Sequence, residues 1–174
     1  LASKAQSFDN LQWGTPVDGL QMSISAINDT DPKVPAFQVA LRNVGDKDTT
    51  LNLGFMLGNG KVQDPNSISF RITDAHGTDR MVEFASVFTV EGRVDDYVVS
   101  LRAGSMYTLD MSSKYFILGM GNMAVGPKLV TRAPYTITAM FAGFGAKHTN
   151  LDTPGMKLMN YWTGVVQSNA LKVP

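Results

Sequence analysis

Cysteine is absent from all 174 residues, which excludes a disulfide framework, a thiolate nucleophile and a cysteine zinc site. Histidine occurs only at 76 and 148, and glutamate only at 83 and 91, so acid–base and metal chemistry have few residues to draw on. Charged residues make up 17% of the chain, against roughly 25% in an average globular protein. The surface must therefore be carried by uncharged polar side chains. Net charge is zero and no run of Lys or Arg could track phosphates, so nucleic acid is not an expected partner. No apolar run approaches the length of a transmembrane helix, and the chain is expected not to span a membrane.

The motifs of common enzymes are missing as well. There is no Gly-x-Ser-x-Gly elbow for a serine nucleophile. His76 sits in Asp74-Ala75-His76-Gly77, which reads as a turn, and His148 in the glycine-rich 143–150 loop. Neither has a partner at metal-ligand spacing. Gly121–Lys128 superficially suggests a phosphate loop, but Pro127 removes an amide donor and no Ser or Thr follows Lys128. These absences point to a non-enzymatic protein without an organic cofactor.

What is present is alternation. Leu20, Met22, Ile24 and Ala26 share one face of an extended segment, with Gln21, Ser23 and Ser25 on the other. Pro35–Leu57 repeats the pattern twice, with Phe37, Val39 and Leu41 before Gly45-Asp46-Lys47-Asp48 and Leu51, Leu53, Phe55 and Leu57 after it, which predicts a β-hairpin. Ser67–Thr73 and Tyr135–Phe141 are predicted strands, and Met81–Val90 is a less regular one. Val98–Leu101 and Ser105–Met111, joined by Arg102-Ala103-Gly104, suggest a second hairpin with Tyr107, Leu109 and Met111 inward. Lys114–Lys128 is interrupted by glycines and reads as irregular, 143–158 as a long insertion, and Gly164–Val173 as a last strand. With no amphipathic helix, the expected fold is a single all-β, antiparallel two-sheet sandwich of roughly seven to nine strands with long loops. Residues 1–18 would form an N-terminal arm and 19–174 the sandwich.

Trp13-Gly14 with Val17-Asp18-Gly19-Leu20, then Leu41-Arg42-Asn43-Val44-Gly45, and finally Trp162-Thr163-Gly164-Val165-Val166-Gln167-Ser168-Asn169 bracket nearly the whole chain. Together they resemble uncharacterised immunoglobulin-like β-sandwich domains of exported bacterial proteins. The resemblance implies an immunoglobulin-like fold and an extracellular or periplasmic location, and it brings no catalytic set. The opening Leu1-Ala2-Ser3-Lys4-Ala5 also fits the end of a signal peptide, though a fragment boundary or an artificial start fits equally.

Three binding chemistries have candidate residues. Paired aspartates in turns, Asp29 with Asp31, Asp46 with Asp48 and Asp95 with Asp96, supply the oxygen ligands calcium takes, without EF-hand spacing. Trp13, Phe144, Tyr161 and Trp162 could stack on sugar rings in a carbohydrate-binding module, although Trp13 and Trp162 equally suit plugs at the sandwich ends. The Ala2–Leu11 arm could add as a strand to an edge of another copy. The leading expectation is a binding or structural module that acts through contacts with a protein partner or its own copies.

Overall fold

The computed structural model describes residues 10–28, 31, 33–57, 60, 62–84, 93–118, 122–124, 134–147, 155 and 159–174. They form an all-β sandwich of antiparallel sheets. The thirteen strands are β1 (Leu20–Ala26), β2 (Ala36–Asn43), β3 (Thr49–Leu57), β4 (Val62–Asp64), β5 (Ile68–Asp74), β6 (Asp79–Phe84), β7 (Val94–Leu101), β8 (Met106–Ser112), β9 (Phe116–Leu118), β10 (Asn122–Ala124), β11 (Tyr135–Gly143), β12 (Gly164–Gln167) and β13 (Leu171–Val173). A 3-10 turn, Ser113–Tyr115, separates β8 from β9.

One sheet has the order β1-β2-β8, a second β10-β9-β6-β5-β11-β12 with β13 also on β11, and a third β4-β3-β7. Alternation explains the core they enclose. Leu20, Met22, Ile24, Phe37, Val39 and Leu41 are all buried, as are Ile68, Phe70 and Ile72 of β5 and Tyr135, Ile137, Ala139 and Phe141 of β11. Phe37 stacks on Phe116 with centroids 6.1 Å apart, and Phe116 on Phe70 at 4.6 Å, so the first sheet packs face to face on the second. Each buried Leu, Ile, Val, Met or Phe among them contributes about 1.5–3 kcal/mol.

The Pro35–Leu57 segment is not a hairpin. β2 pairs with β1 and β8, whereas β3 pairs with β4 and β7, so Val44–Asp48 carries the chain from one sheet into another. The second expected hairpin is also a crossing, because β7 lies on β3 and β8 on β2. Two β-arches therefore run side by side. The physical reason is Asn43, which is buried at the first corner. Its Nδ2 donates to Lys47 O at 2.8 Å and Leu101 O at 3.0 Å, and its Oδ1 accepts from Gly45 N at 2.9 Å. Those bonds satisfy the corner backbone without strand-to-strand pairing across the turn. The inward set on β8 is as expected, with Met111 buried and Tyr107 and Leu109 packed against the core.

The last strand is divided. β12 and β13 both pair with β11, and the break between them is held by Ser168, whose Oγ accepts from Ala139 N at 2.9 Å. The adjacent Asn169 turns its amide onto β1, accepting from Ile24 N at 2.9 Å and donating to Ile24 O at 3.1 Å. Further along the same strand, Gly14 N donates to Met22 O at 2.9 Å and Ser23 Oγ to Gln12 O at 2.5 Å. The edge of β1 is thus covered by this chain's own residues. Residues 1–9, most of the expected donor strand, lie outside the described residues, as do 85–90 of the irregular Met81–Val90 segment.

Candidate functional site: the cleft at the first arch

The segment Asn160–Thr163 is pinned beside β3. Thr50 N donates to Asn160 O at 3.1 Å and Trp162 N to Thr50 O at 2.8 Å, a parallel bridge that fixes Tyr161 and Trp162 against the first arch. Trp162 then lies over a strip of chain that lacks side chains. A Cβ on Gly143 would stand 2.4 Å from the indole Cε3, and one on Gly164 3.2 Å from Cη2. The indole also stacks on Phe141 at 5.6 Å and donates from Nε1 to Asp18 O at 3.2 Å. It is 6% exposed. It plugs the end of the sandwich, one of the two roles anticipated for it, and offers no open ring face.

Between this segment and the arch is a cleft of about 430 Å³, inside the size range of small-molecule sites. Asp18, Asp46 and Asp48 stand on its lining with Tyr161, Trp162 and Lys47. All of the carboxylates and Lys47 are exposed. Asp18 holds a left-handed backbone, φ 43°, immediately before Gly19 at φ 79°. That turn lets Gly19 O accept from Val44 N at 2.7 Å, locking the Asp18 corner to the arch. Asp48 Oδ1 accepts from Ala103 N at 3.0 Å, which ties the first arch to the second. The Tyr161 hydroxyl is held neutral to higher pH, first by burial and then by the nearby Asp96 charge. Among the described residues the lining sets three carboxylates against one ammonium, an acidic rim suited to basic groups and hydrogen-bond donors.

The structure brings together Asp46, Asp48, Tyr161 and Trp162, which sequence reasoning had assigned to two different ligands. The other candidates lie elsewhere. Trp13 is half-buried with the Arg42 guanidinium 4.0 Å above its ring, and Arg42 is in turn held by Gln21 at 2.8 Å. Phe144 carries the Lys147 ammonium 3.5 Å over its face. Asp31 serves its own turn by accepting from Lys33 N at 2.8 Å, at the opposite end of the β1–β2 ladder from Asp46 and Asp48. Asp95 pairs with Arg93 at 2.7 Å, while Asp96 is buried and accepts from Lys147 N at 3.0 Å. Among the described residues no three acidic or histidine side chains gather as metal ligands. Asp29 and His148 lie outside those residues; His76 is exposed in its turn, where its N–H donates to Asp74 Oδ1 at 2.9 Å. Asp18 was missed as a site residue, although Asp-Gly is the dipeptide that favours a left-handed corner.

No protein-family model matches the chain, and no curated protein matches it. Among solved structures, one named "Putative ApaA Protein from Bordetella pertussis" aligns over 93% of this chain and 94% of its own, with 12% identity and a TM-score of 0.43. Similarity at that level carries no functional argument.

Proposed function

We propose that this protein is a non-enzymatic, extracytoplasmic binding module of immunoglobulin-like type that acts through protein–protein contacts, and that the arch cleft receives a basic side chain of its partner. The observation that carries this reading is the placement of Asp18, Asp46 and Asp48 around one cleft with a rigid aromatic floor. An exposed ion pair is worth about 0.2–1 kcal/mol, so each carboxylate of the cleft that meets a basic group of the partner adds a small increment without a deep pocket. The extracytoplasmic setting rests on the resemblance of the framing motifs. Self-pairing remains part of the reading through edges other than β1, whose edge groups are engaged in cis.

The test is a titration of isotopically labelled protein with a short lysine- and arginine-containing peptide and an acidic counterpart, followed by amide chemical shifts. Binding of the basic peptide should move Asp18, Gly19, the Asp46–Thr49 amides and Thr163. Equal shifts with the acidic peptide, or none with either, would sink the proposal. The alternative, a carbohydrate-binding module built on exposed aromatics, is weakened at Trp162 by its burial and at Trp13 by the guanidinium over its ring.

A further inference from the structure

The first sheet, β1-β2-β8, has an outer edge on each side. That of β1 is taken up by Asn169, Gly14 and Gln12 of the same chain. The edge of β8 is different. Ser113 N donates to Pro35 O at 3.0 Å and Asn43 N to Ser105 O at 2.9 Å, so in the register between them Tyr107, Leu109 and Met111 turn their main-chain groups toward β2. Met106, Thr108, Asp110 and Ser112 therefore aim N–H and C=O away from the sheet, and among the described residues no strand pairs with them there. Asp110 is exposed and the other three are half-buried. An open edge of seven residues without proline is a template for another strand.

The edge is also complementary to itself. Two copies of β8 laid antiparallel with a two-fold axis at Leu109 set Thr108 opposite the partner's Asp110 and Met106 opposite the partner's Ser112. In that register every outward N–H and C=O of the four residues meets a counterpart. Thr108 Oγ1 can then donate to a carboxylate whose Oδ1 accepts from Gln38 Nε2 at 3.2 Å, using its second oxygen. On the inner face Leu109 meets the partner's Leu109 and Tyr107 the partner's Met111, which extends the apolar row that packs on the core. Neighbouring registers are poorer. An axis at Asp110 sets two carboxylates face to face, and one at Thr108 carries Ser112 past the end of the facing strand.

We propose that β8 is a self-association edge, through which Met106–Ser112 of two copies of this chain pair antiparallel and join their first sheets into one. This rests on the self-pairing part of the proposed function and not on the arch cleft, whose lining contains no residue of β8.

The experiment is sedimentation velocity on the whole chain across a concentration series. Wild type should form dimers with a dissociation constant on the order of 100 μM or tighter. Thr108→Asp sets a second carboxylate against the partner's Asp110, twice across the axis, and should weaken association at least about ten-fold. Thr108→Lys places an ammonium there instead and should hold or strengthen it. Asp46→Asn, in the arch cleft, should leave association unchanged, so that failure of this edge and failure of the arch cleft are read separately. The proposal is overturned if wild type stays monomeric up to about 1 mM, if folded Thr108→Asp associates as wild type does, or if Thr108→Lys weakens association as much as Thr108→Asp.

Discussion

The side-chain amide of Asn43 donates to the main-chain carbonyl of Leu101, 3.0 Å away and 58 residues on in sequence, so one buried side chain joins the corners of both arches. The same residue accepts at its main-chain oxygen from Gly104 N at 2.9 Å and donates from its own N–H to Ser105 O at 2.9 Å. Every hydrogen-bonding group of Asn43 is therefore used to hold the two crossings together, and the acidic arch is built on that joint.

Replacing Asn43 by alanine leaves the Lys47 and Leu101 carbonyls and the Gly45 amide without these partners. The expected cost is about 2–4 kcal/mol in chemical denaturation, since each buried group left unpaired costs roughly 1–3 kcal/mol and the corner can admit some water. Asn43→Asp keeps only the acceptor to Gly45 and turns a charge toward two carbonyls, so it should be no less damaging. A loss under about 0.5 kcal/mol in both variants would remove Asn43 from this role.

Asn169 acts as a short substitute strand for the edge of β1 through its paired bonds to Ile24. Asn169→Ala should lower stability by about 1–2 kcal/mol and expose an edge that can pair with another copy. Sedimentation velocity on the variant should show concentration-dependent association beyond that of wild type. An unchanged distribution together with unchanged stability would mean that the edge is protected by other contacts.

Gly143 and Trp162 make a second testable pair. A methyl group at 143 meets the indole at 2.4 Å, so Gly143→Ala must displace Trp162, and with it the floor of the arch cleft. Overpacking of this kind costs about 1–3 kcal/mol. The expected readout is a red shift of tryptophan fluorescence with a lowered melting midpoint. Wild-type emission in the variant would contradict the packing described.

Alkali offers a test that needs no mutation. Burial pushes the Tyr135 hydroxyl up to about 12, and Tyr97 is raised by burial and then by its bond to Tyr107. In both, the folded state favours the neutral phenol. Their contribution is fully present below the usual phenol range near pH 10 and is lost as pH rises through the folded values. For Tyr135, which is 4% exposed, the linked loss is roughly 2–3 kcal/mol across that window. Phenolate absorbance should lag behind that of free tyrosine, and denaturant midpoints should fall above pH 10. Constant stability between pH 10 and 12 would contradict this.

Strand faces were legible where one side of a strand is buried. The inward sets of β2, β5 and β11 follow directly from alternation, as do Leu20, Met22 and Ile24 of β1, whereas Ala26 of the same set is exposed and Ser23 of the opposite face is buried. Strand partners were not, because a strand in a hairpin and a strand in an arch bury the same alternate residues; the difference lies in what satisfies the corner, here the side chain of Asn43. The single closing strand was misjudged for a related reason, since the Ser168 and Asn169 side chains replace ladder bonds with contacts to Ala139 and Ile24. Of the site, Asp46, Asp48, Tyr161 and Trp162 could be chosen by residue type. Their meeting in one cleft depends on the bridge between Thr50 and Tyr161, which no local pattern announces.

The central claim, that the first arch presents carboxylates to a basic partner group, is tested most directly by reversing its charge. In a variant carrying both Asp46→Lys and Asp48→Lys, the account predicts a folded protein that no longer responds to the basic peptide and gains a response to the acidic one. Undiminished binding of the basic peptide by that folded variant would contradict it.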